Sequence, residues 1–280
     1  MTTETAKGIQ RISLGERWLS FRETGVGEPV LLLHSGGFTS RQWRKLIEML
    51  SPSHRMIAPD LLGYGASSLW PNGEPFHFRQ DLEAIEALLD TLGAPAHVVG
   101  HSYGALLGLQ LALSRPAQVR SLALFEPVAF GILDEADDDE ARGNLSQVEM
   151  RYEACADGAD DAWLAQFVDW WNGTGAWNTL PPETKTAFRS VGWKVFQEVA
   201  SLMADTTDRK TYGTITAPTL LLGGEQSPRA ERRVLDKLTA ALKNAKCRIF
   251  LGVGHMGPIT HASLVNRAIA EHVRSVSGGI

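Results

Sequence analysis

The sequence predicts an α/β fold, a mostly parallel sheet with helices on both faces that is interrupted by a helical insertion. Three observations carry that reading. Short β-rich apolar runs alternate with helix-period segments at both ends of the chain, the pattern left by crossover connections between parallel strands. Between roughly Pro127 and Ala217 the alternation stops and only helical patterning remains. Upstream of that stretch an apolar run passes into a helix through Gly100-His-Ser-Tyr-Gly104. A chain of 280 residues can hold one large domain or two of common size. The order of elements makes it one sheet domain, residues 1–126 and 218–280, with residues 127–217 inserted.

Trp18-Leu-Ser-Phe-Arg-Glu23 alternates inward and outward positions and reads as a strand. Pro29 to Leu33 is continuously apolar, as a strand covered on both faces should be. Ser40 is a candidate cap for a helix whose Trp43, Leu46, Ile47 and Leu50 share one face. A strand near Met56–Ala58 and a helix carrying Leu82, Ile85, Leu88, Leu89 and Leu92 follow. The strand Ala96–Val99 leads into a helix, Ala105 to Leu113, that is apolar nearly all round and therefore central. Ser121–Phe125 is the next strand. After the insertion come the strand Pro218–Leu222, a helix bearing Val234, Leu235, Leu238 and Leu242, the strand Cys247–Phe250, and a last helix with Leu264, Val265, Ala268, Ile269 and Val273.

Composition narrows the function classes. Apolar residues at 44% and charged residues at 21% exclude a largely disordered chain. A net charge of −5 with no Lys/Arg cluster argues against nucleic acid as a partner. No apolar run approaches the ~18–20 residues of a membrane span, and the polar start Met1–Gln10 lacks a signal sequence's apolar region, so no membrane partner and a cytoplasmic location are expected. Cys155 and Cys247 lie far apart without metal-ligand spacing and read as small apolar residues. The acidic run Asp134–Glu140 reads as a solvated turn or helix start. Five of the eight tryptophans, Trp163, Trp170, Trp171, Trp177 and Trp193, fall inside the insertion, which asks for a reason.

Gly100-His-Ser-Tyr-Gly104 fits G-x-S-x-G between a strand and a helix, the context in which that motif presents a nucleophile. A serine on so sharp a turn sits in a strained conformation, and side chains two residues either side would collide with the neighbouring strand and helix. Glycines relieve the crowding, and the helix N-terminus favours developing negative charge at Ser102. A serine hydroxyl needs a base, and histidine has a suitable pKa. Among eight histidines, His255 lies in Gly252-Val-Gly-His-Met-Gly257 after the last strand, at the carboxyl edge of the sheet that also holds Ser102. His54, His77, His97, His261 and His272 lie on helices, helix flanks or a strand start, and most are expected to face solvent.

Together with His34-Ser-Gly-Gly37, Pro59-Asp-Leu-Leu-Gly-Tyr-Gly-Ala-Ser67 and Gly254-His255-Met-Gly257, this motif makes residues 11 to 275 resemble the α/β-hydrolase fold family, and within it bacterial members with a helical cap. The resemblance implies an eight-stranded sheet with the cap, residues 127–217, inserted after the sixth strand, Ser121–Phe125. It implies oxyanion donors at the backbone amides of Gly36, or alternatively Gly37, and of Tyr103. His-Ser-Gly replaces the family's usual His-Gly-x, which leaves that choice open. Asp60 is expected to hold its own loop.

The acid departs from the family pattern. Where relatives commonly carry Gly-Asp-x-Asp, this chain reads Gly224-Glu-Gln-Ser227, and Ser227 before Pro228 reads as a helix cap. Two carboxylates compete: Glu225, and the favoured Glu126 at the end of the sixth strand, where haloalkane dehalogenases of this fold place theirs. Phe38, Trp170, Trp171, Trp177 and Met256, with Phe167, are expected to wall an apolar pocket over Ser102 or, for those in the cap, to fill the cap's own core. The expected activity is serine hydrolysis of a small apolar carboxylic ester or lactone, with no metal or organic cofactor implied. Carbon–carbon bond hydrolysis of a ring-cleavage diketone uses the same residues and is the alternative. Dehalogenases and epoxide hydrolases of the fold use an aspartate nucleophile, so Ser102 argues against both, and an intact serine and histidine argue against a non-catalytic receptor.

Overall fold

Neighbouring residues along the central strands belong to opposite cores, which is why these strands read as unbroken apolar runs. Leu31, Leu33, Val98, Leu122, Leu124 and Leu221 join one cluster; Val30, Leu32, Val99, Ala123, Phe125 and Leu222 join the other. Each of these side chains larger than Ala123 contributes roughly 1.5–3 kcal/mol on burial, enough to fix the register of the strands. The computed structural model describes residues 2–5, 8–133, 137–154 and 160–277. Cys155 and positions 134–136 of the acidic run lie outside the described residues.

The strands are β1 (Thr2–Thr5), β2 (Ile9–Leu14), β3 (Arg17–Thr24), β4 (Glu28–Leu33), β5 (His54–Asp60), β6 (Ala96–His101), β7 (Val119–Phe125), β8 (Thr219–Gly224) and β9 (Ala245–Phe250). They form one sheet in the order β1-β2-β3-β5-β4-β6-β7-β8-β9. The pairs β1/β2, β2/β3 and β3/β5 are antiparallel and the rest parallel. The eight expected strands are β2 to β9, and β1 adds a ninth at the antiparallel edge. The sixth strand of the expectation is therefore β7.

Helices α1 (Arg44–Leu50), α2 (Phe78–Leu89) and α3 (Tyr103–Ser114) serve the connections up to β7. Helices α4 (Asp139–Ala154), α5 (Asp161–Asn172), α6 (Ala176–Thr179), α7 (Pro182–Met203) and α8 (Arg209–Tyr212) occupy the stretch between β7 and β8, with no strand there among the described residues. Helices α9 (Arg229–Ala241), α10 (Gly257–Thr260) and α11 (Ala262–Ser277) follow. α1 and α11 cover one face of the sheet, and α2, α3 and α9 the other. No helix among the described residues is long and apolar enough to cross a membrane.

Several local readings change. Ser40 does not cap α1; it opens a short 3-10 turn, Ser40–Trp43, and gives its amide to Asp60 Oδ1 at 2.8 Å. Asp60 Oδ2 accepts from Ala66 at 2.9 Å, so this side chain does hold its loop. His54 and His97 are buried where solvent exposure was expected, because the end of α11 closes over the starts of β5 and β6. His97 bonds Ser121 at 2.7 Å, and burial pushes it down to about 4, so it is neutral. Cys247 is exposed on the edge strand β9 rather than inside. Asp138, within the acidic run, is buried and pairs with Arg233 at 2.5 Å and with Lys237, both on α9.

Chain direction sets the site. β4 lies between β5 and β6, so the chain leaves β4 to one side and returns on the other. The crevice at such a switch point opens at the strands' carboxyl ends, where the loops after β4 and β6 meet.

Candidate active site

Among the described residues only two that are not glycine have positive φ, Ser102 at 55° and Glu126 at 48°. Such conformations cost about 1–3 kcal/mol each and persist where the surroundings hold them. Ser102 stands between the end of β6 and the start of α3, and its amide bonds Phe125 O at 2.9 Å. The motif glycines are there for the expected reason. A Cβ on Gly100 would come 2.5 Å from Gly104 O and 2.6 Å from Ala105 Cα of the helix, and one on Gly104 would lie 2.3 Å from Leu33 O of β4. Those are backbone atoms, and they cannot step aside.

Glu126 follows β7 directly, its amide bonding Leu222 O at 2.9 Å. Its carboxylate is fully buried. Oε1 accepts from the Gly224 amide and from Ser227 Oγ, each at 2.6 Å, and Oε2 lies 2.6 Å from His255 Nδ1. Glu225 turns away, accepting from Gly252 N at 3.0 Å on the exposed side. Of the two candidate acids, the structure thus joins Glu126 to His255. Ser227 is no helix cap, since α9 starts at Arg229 with Pro228 before it; its hydroxyl instead fixes Glu126. With a carboxylate on Nδ1, the His255 proton sits there and Nε2 is left as the basic nitrogen. Glu231 of α9 is buried close by, its carboxyl held well above the usual range by burial and then by the Glu126 charge.

A cavity of about 360 Å³ lies over Ser102 and His255, both of which line it. Phe38, Phe167, Trp170, Trp171 and Met256 line it, and Trp171 stacks on the His255 ring at 3.6 Å between centroids. Trp177 does not line it. Its side chain is buried in the insertion's own core, its ring meeting Phe188 edge-on at 6.5 Å, and Phe188 faces the cavity in its stead. Gly36 lines the cavity with Tyr103. The Gly37 amide is already committed, donating to Tyr64 Oη at 3.1 Å, whereas among the described residues no acceptor takes the Gly36 or Tyr103 amide.

A buried polar network stands beside these amides. Glu198 and Lys194 of α7 pair at 2.6 Å, Lys194 reaches Asp81 of α2 at 2.9 Å, and Tyr103 Oη donates to Asp81 at 2.8 Å. Tyr64 Oη donates to Glu198 at 2.9 Å. The sequence concealed this network because Lys194 and Glu198, one helical turn apart, read as a solvated i,i+4 pair. Burial pushes Glu198 up to about 7 despite Lys194, with the Asp81 charge adding to the rise. Its folded-state pKa thus lies above its ordinary value, so the proton stabilises the fold at low pH, and stability falls as pH rises toward 7. Compared with Glu198→Gln, the natural protein is expected to lose of the order of 1 kcal/mol per pH unit between about pH 5 and 7, read from urea midpoints.

A family model described as the alpha/beta hydrolase fold matches residues 28–262. The chain belongs to the α/β hydrolase fold family. Among related α/β hydrolase sequences, a fluoroacetate dehalogenase from a Burkholderia species is 28% identical over 75% of this chain and 71% of its own. The putative carbamate hydrolase RutD of Variovorax paradoxus is 29% identical over 90% of this chain and 93% of its own. Four other relatives, a lipase and three haloalkane dehalogenases, match over only 34% to 40% of their length. A solved structure of a putative lipase from Acinetobacter baumannii superposes with a TM-score of 0.77 at 23% identity, covering 98% of this chain and 93% of that one.

Proposed function

We propose that this α/β hydrolase is a serine hydrolase that cleaves a small carboxylic ester or lactone through an acyl-enzyme. The observation that carries the reading is the 2.6 Å contact between Glu126 Oε2 and His255 Nδ1, with His255 lining the same cavity as Ser102, a serine held at positive φ on the strand-to-helix turn. His255 Nε2 takes the Ser102 proton, and the alkoxide attacks the carbonyl. The Gly36 and Tyr103 amides receive the oxyanion, each such donor being worth ~3 kcal/mol on the barrier. Glu126 holds the imidazole tautomer and stabilises its cationic form. The imidazolium gives its proton to the departing alkoxide as the tetrahedral adduct collapses to the acyl-enzyme and the alcohol leaves; water, deprotonated by the freed Nε2, then attacks the acyl carbon, and the proton returns to Ser102 as the acid is released. Ser102 in place of an aspartate nucleophile argues against carrying over the activity of the dehalogenase relative.

The helical insertion acts as the cap in this reading, its Phe167, Trp170 and Trp171 giving the cavity an apolar roof suited to an apolar acyl or alcohol part. A fluorophosphonate probe should label Ser102 stoichiometrically, and a screen over nitrophenyl esters of graded acyl length, lactones and a ring-cleavage diketone should show turnover on the esters or lactones. Absence of labelling would sink the serine-hydrolase reading. Turnover of the diketone alone would transfer the same machinery to carbon–carbon bond cleavage.

A further inference from the structure

Glu198 is the one carboxylate among the described residues lining the cavity, and the mechanism above does not use it. Its side chain is buried, and its two oxygens are unequally employed. Oε1 takes both donors, Tyr64 Oη at 2.9 Å and Lys194 Nζ at 2.6 Å, while Oε2 receives no hydrogen bond from any described residue. Oε2 stands against Gly36, so close that a Cβ on that residue would meet it at 2.5 Å. Gly36 carries the amide that the proposed mechanism gives to the oxyanion. The free oxygen is therefore beside the position of the reacting carbonyl, in a cavity otherwise walled by side chains such as Phe38, Val128, Phe188 and Val199.

We propose that Glu198 Oε2 is a substrate-binding acceptor, so that this enzyme prefers esters or lactones bearing a hydroxyl or amide hydrogen close to the scissile carbonyl over plain alkyl ones. The inference rests on the hydrolase reading and narrows its substrate class. The physical reason is the cost of leaving a buried acceptor unpaired. An alkyl substrate that fills the cavity shuts Oε2 away from any hydrogen-bond donor. A substrate with a donor there supplies one. Sites built around a buried polar group discriminate against an analogue lacking the partner far more strongly than apolar pockets discriminate by size. Because Oε2 stands against Gly36, the donor belongs close to the scissile carbonyl.

The test compares kcat/KM at about pH 8.5, above the value of about 7 to which burial raises Glu198 and so with its carboxylate ionised, for matched hydroxy, methoxy and unsubstituted esters: 4-nitrophenyl butyrates substituted at carbon 2 or 3, and butyrates of 2-substituted ethanols. A methoxy group accepts but cannot donate. The natural protein should favour at least one hydroxy ester over its methoxy partner by roughly tenfold or more. In Glu198→Gln the amide oxygen replaces Oε1 under Tyr64 and Lys194, which turns the amide nitrogen, a donor, into the Oε2 position. That variant should lose the hydroxy-over-methoxy preference while still reacting with a fluorophosphonate, and because each ester is its own control, intrinsic reactivity cancels. Glu198→Asp, which withdraws the carboxylate from Gly36, should lose it too and serves if the glutamine variant does not fold. Equal rates on hydroxy and methoxy esters in the natural protein, or a preference that survives in either variant, would overturn the proposal. Failure of every ester together with absent fluorophosphonate labelling would instead strike the hydrolase reading beneath it.

Discussion

Replacing Ser102 by alanine is expected to lower ester turnover by about 10⁴-fold or more while leaving the fold intact. The size of the loss follows from what the hydroxyl alone supplies. The cavity, the Gly36 and Tyr103 amides and the His255–Glu126 pair all remain, so the proposed binding and oxyanion contacts persist, but the proposed acyl-enzyme cannot form. The fold persists because the backbone strain belongs to the turn and not to the hydroxyl. Ser102 N still bonds Phe125 O, and Gly100 and Gly104 still keep the strand and helix clear of one another. Thermal unfolding within about 1 kcal/mol of the natural protein, with hydrolysis and fluorophosphonate labelling both abolished, is the expected pair of results. If more than about 1% of the activity remains, the nucleophile is elsewhere.

The parts of this site that the sequence disclosed are those enforced by backbone sterics. Gly100 and Gly104 are legible because no other residue fits between β4, β6 and α3, and the unbroken run Leu31–Leu33 is legible because both faces of β4 are covered. Side-chain partnerships across long sequence separations are not legible in the same way. Ser227 before Pro228 has the local form of a helix cap, and nothing nearby in sequence indicates that its hydroxyl serves a carboxylate 101 residues upstream. Lys194, Glu198 and Asp81 each have an ordinary surface reading, and only the packing of α7 against α2 and the loop bearing Tyr64 removes water from all three. His54 and His97 were hidden likewise, since the segment that buries them ends the chain's last helix. Trp177 shows the converse: an aromatic in the insertion is as readily core as pocket, and spacing does not separate the two.

The sharpest consequence concerns the acid. Glu126→Gln is expected to reduce kcat by about 10³- to 10⁴-fold, the scale seen when a triad carboxylate becomes an amide. The direction is forced by the surroundings of Glu126. Its Oε1 faces two donors, the Gly224 amide and the Ser227 hydroxyl, so the glutamine oxygen must take that place and its NH₂ must face His255 Nδ1. An N–H donor there makes Nδ1 the acceptor and moves the imidazole proton to Nε2, the nitrogen that receives the Ser102 proton in the proposed mechanism. The variant thus holds its histidine in position but in the wrong tautomer. Ser227→Ala removes one of the two orienting donors and should cost only about tenfold, in line with a single buried hydrogen bond to a charged group. Glu225→Gln should stay within about twofold, because Glu225 bonds Gly252 on the exposed side and has no contact with His255. Steady-state kinetics on the three variants separates the alternatives, since a large loss in Glu225→Gln beside near-normal Glu126→Gln would assign the acid to the other loop.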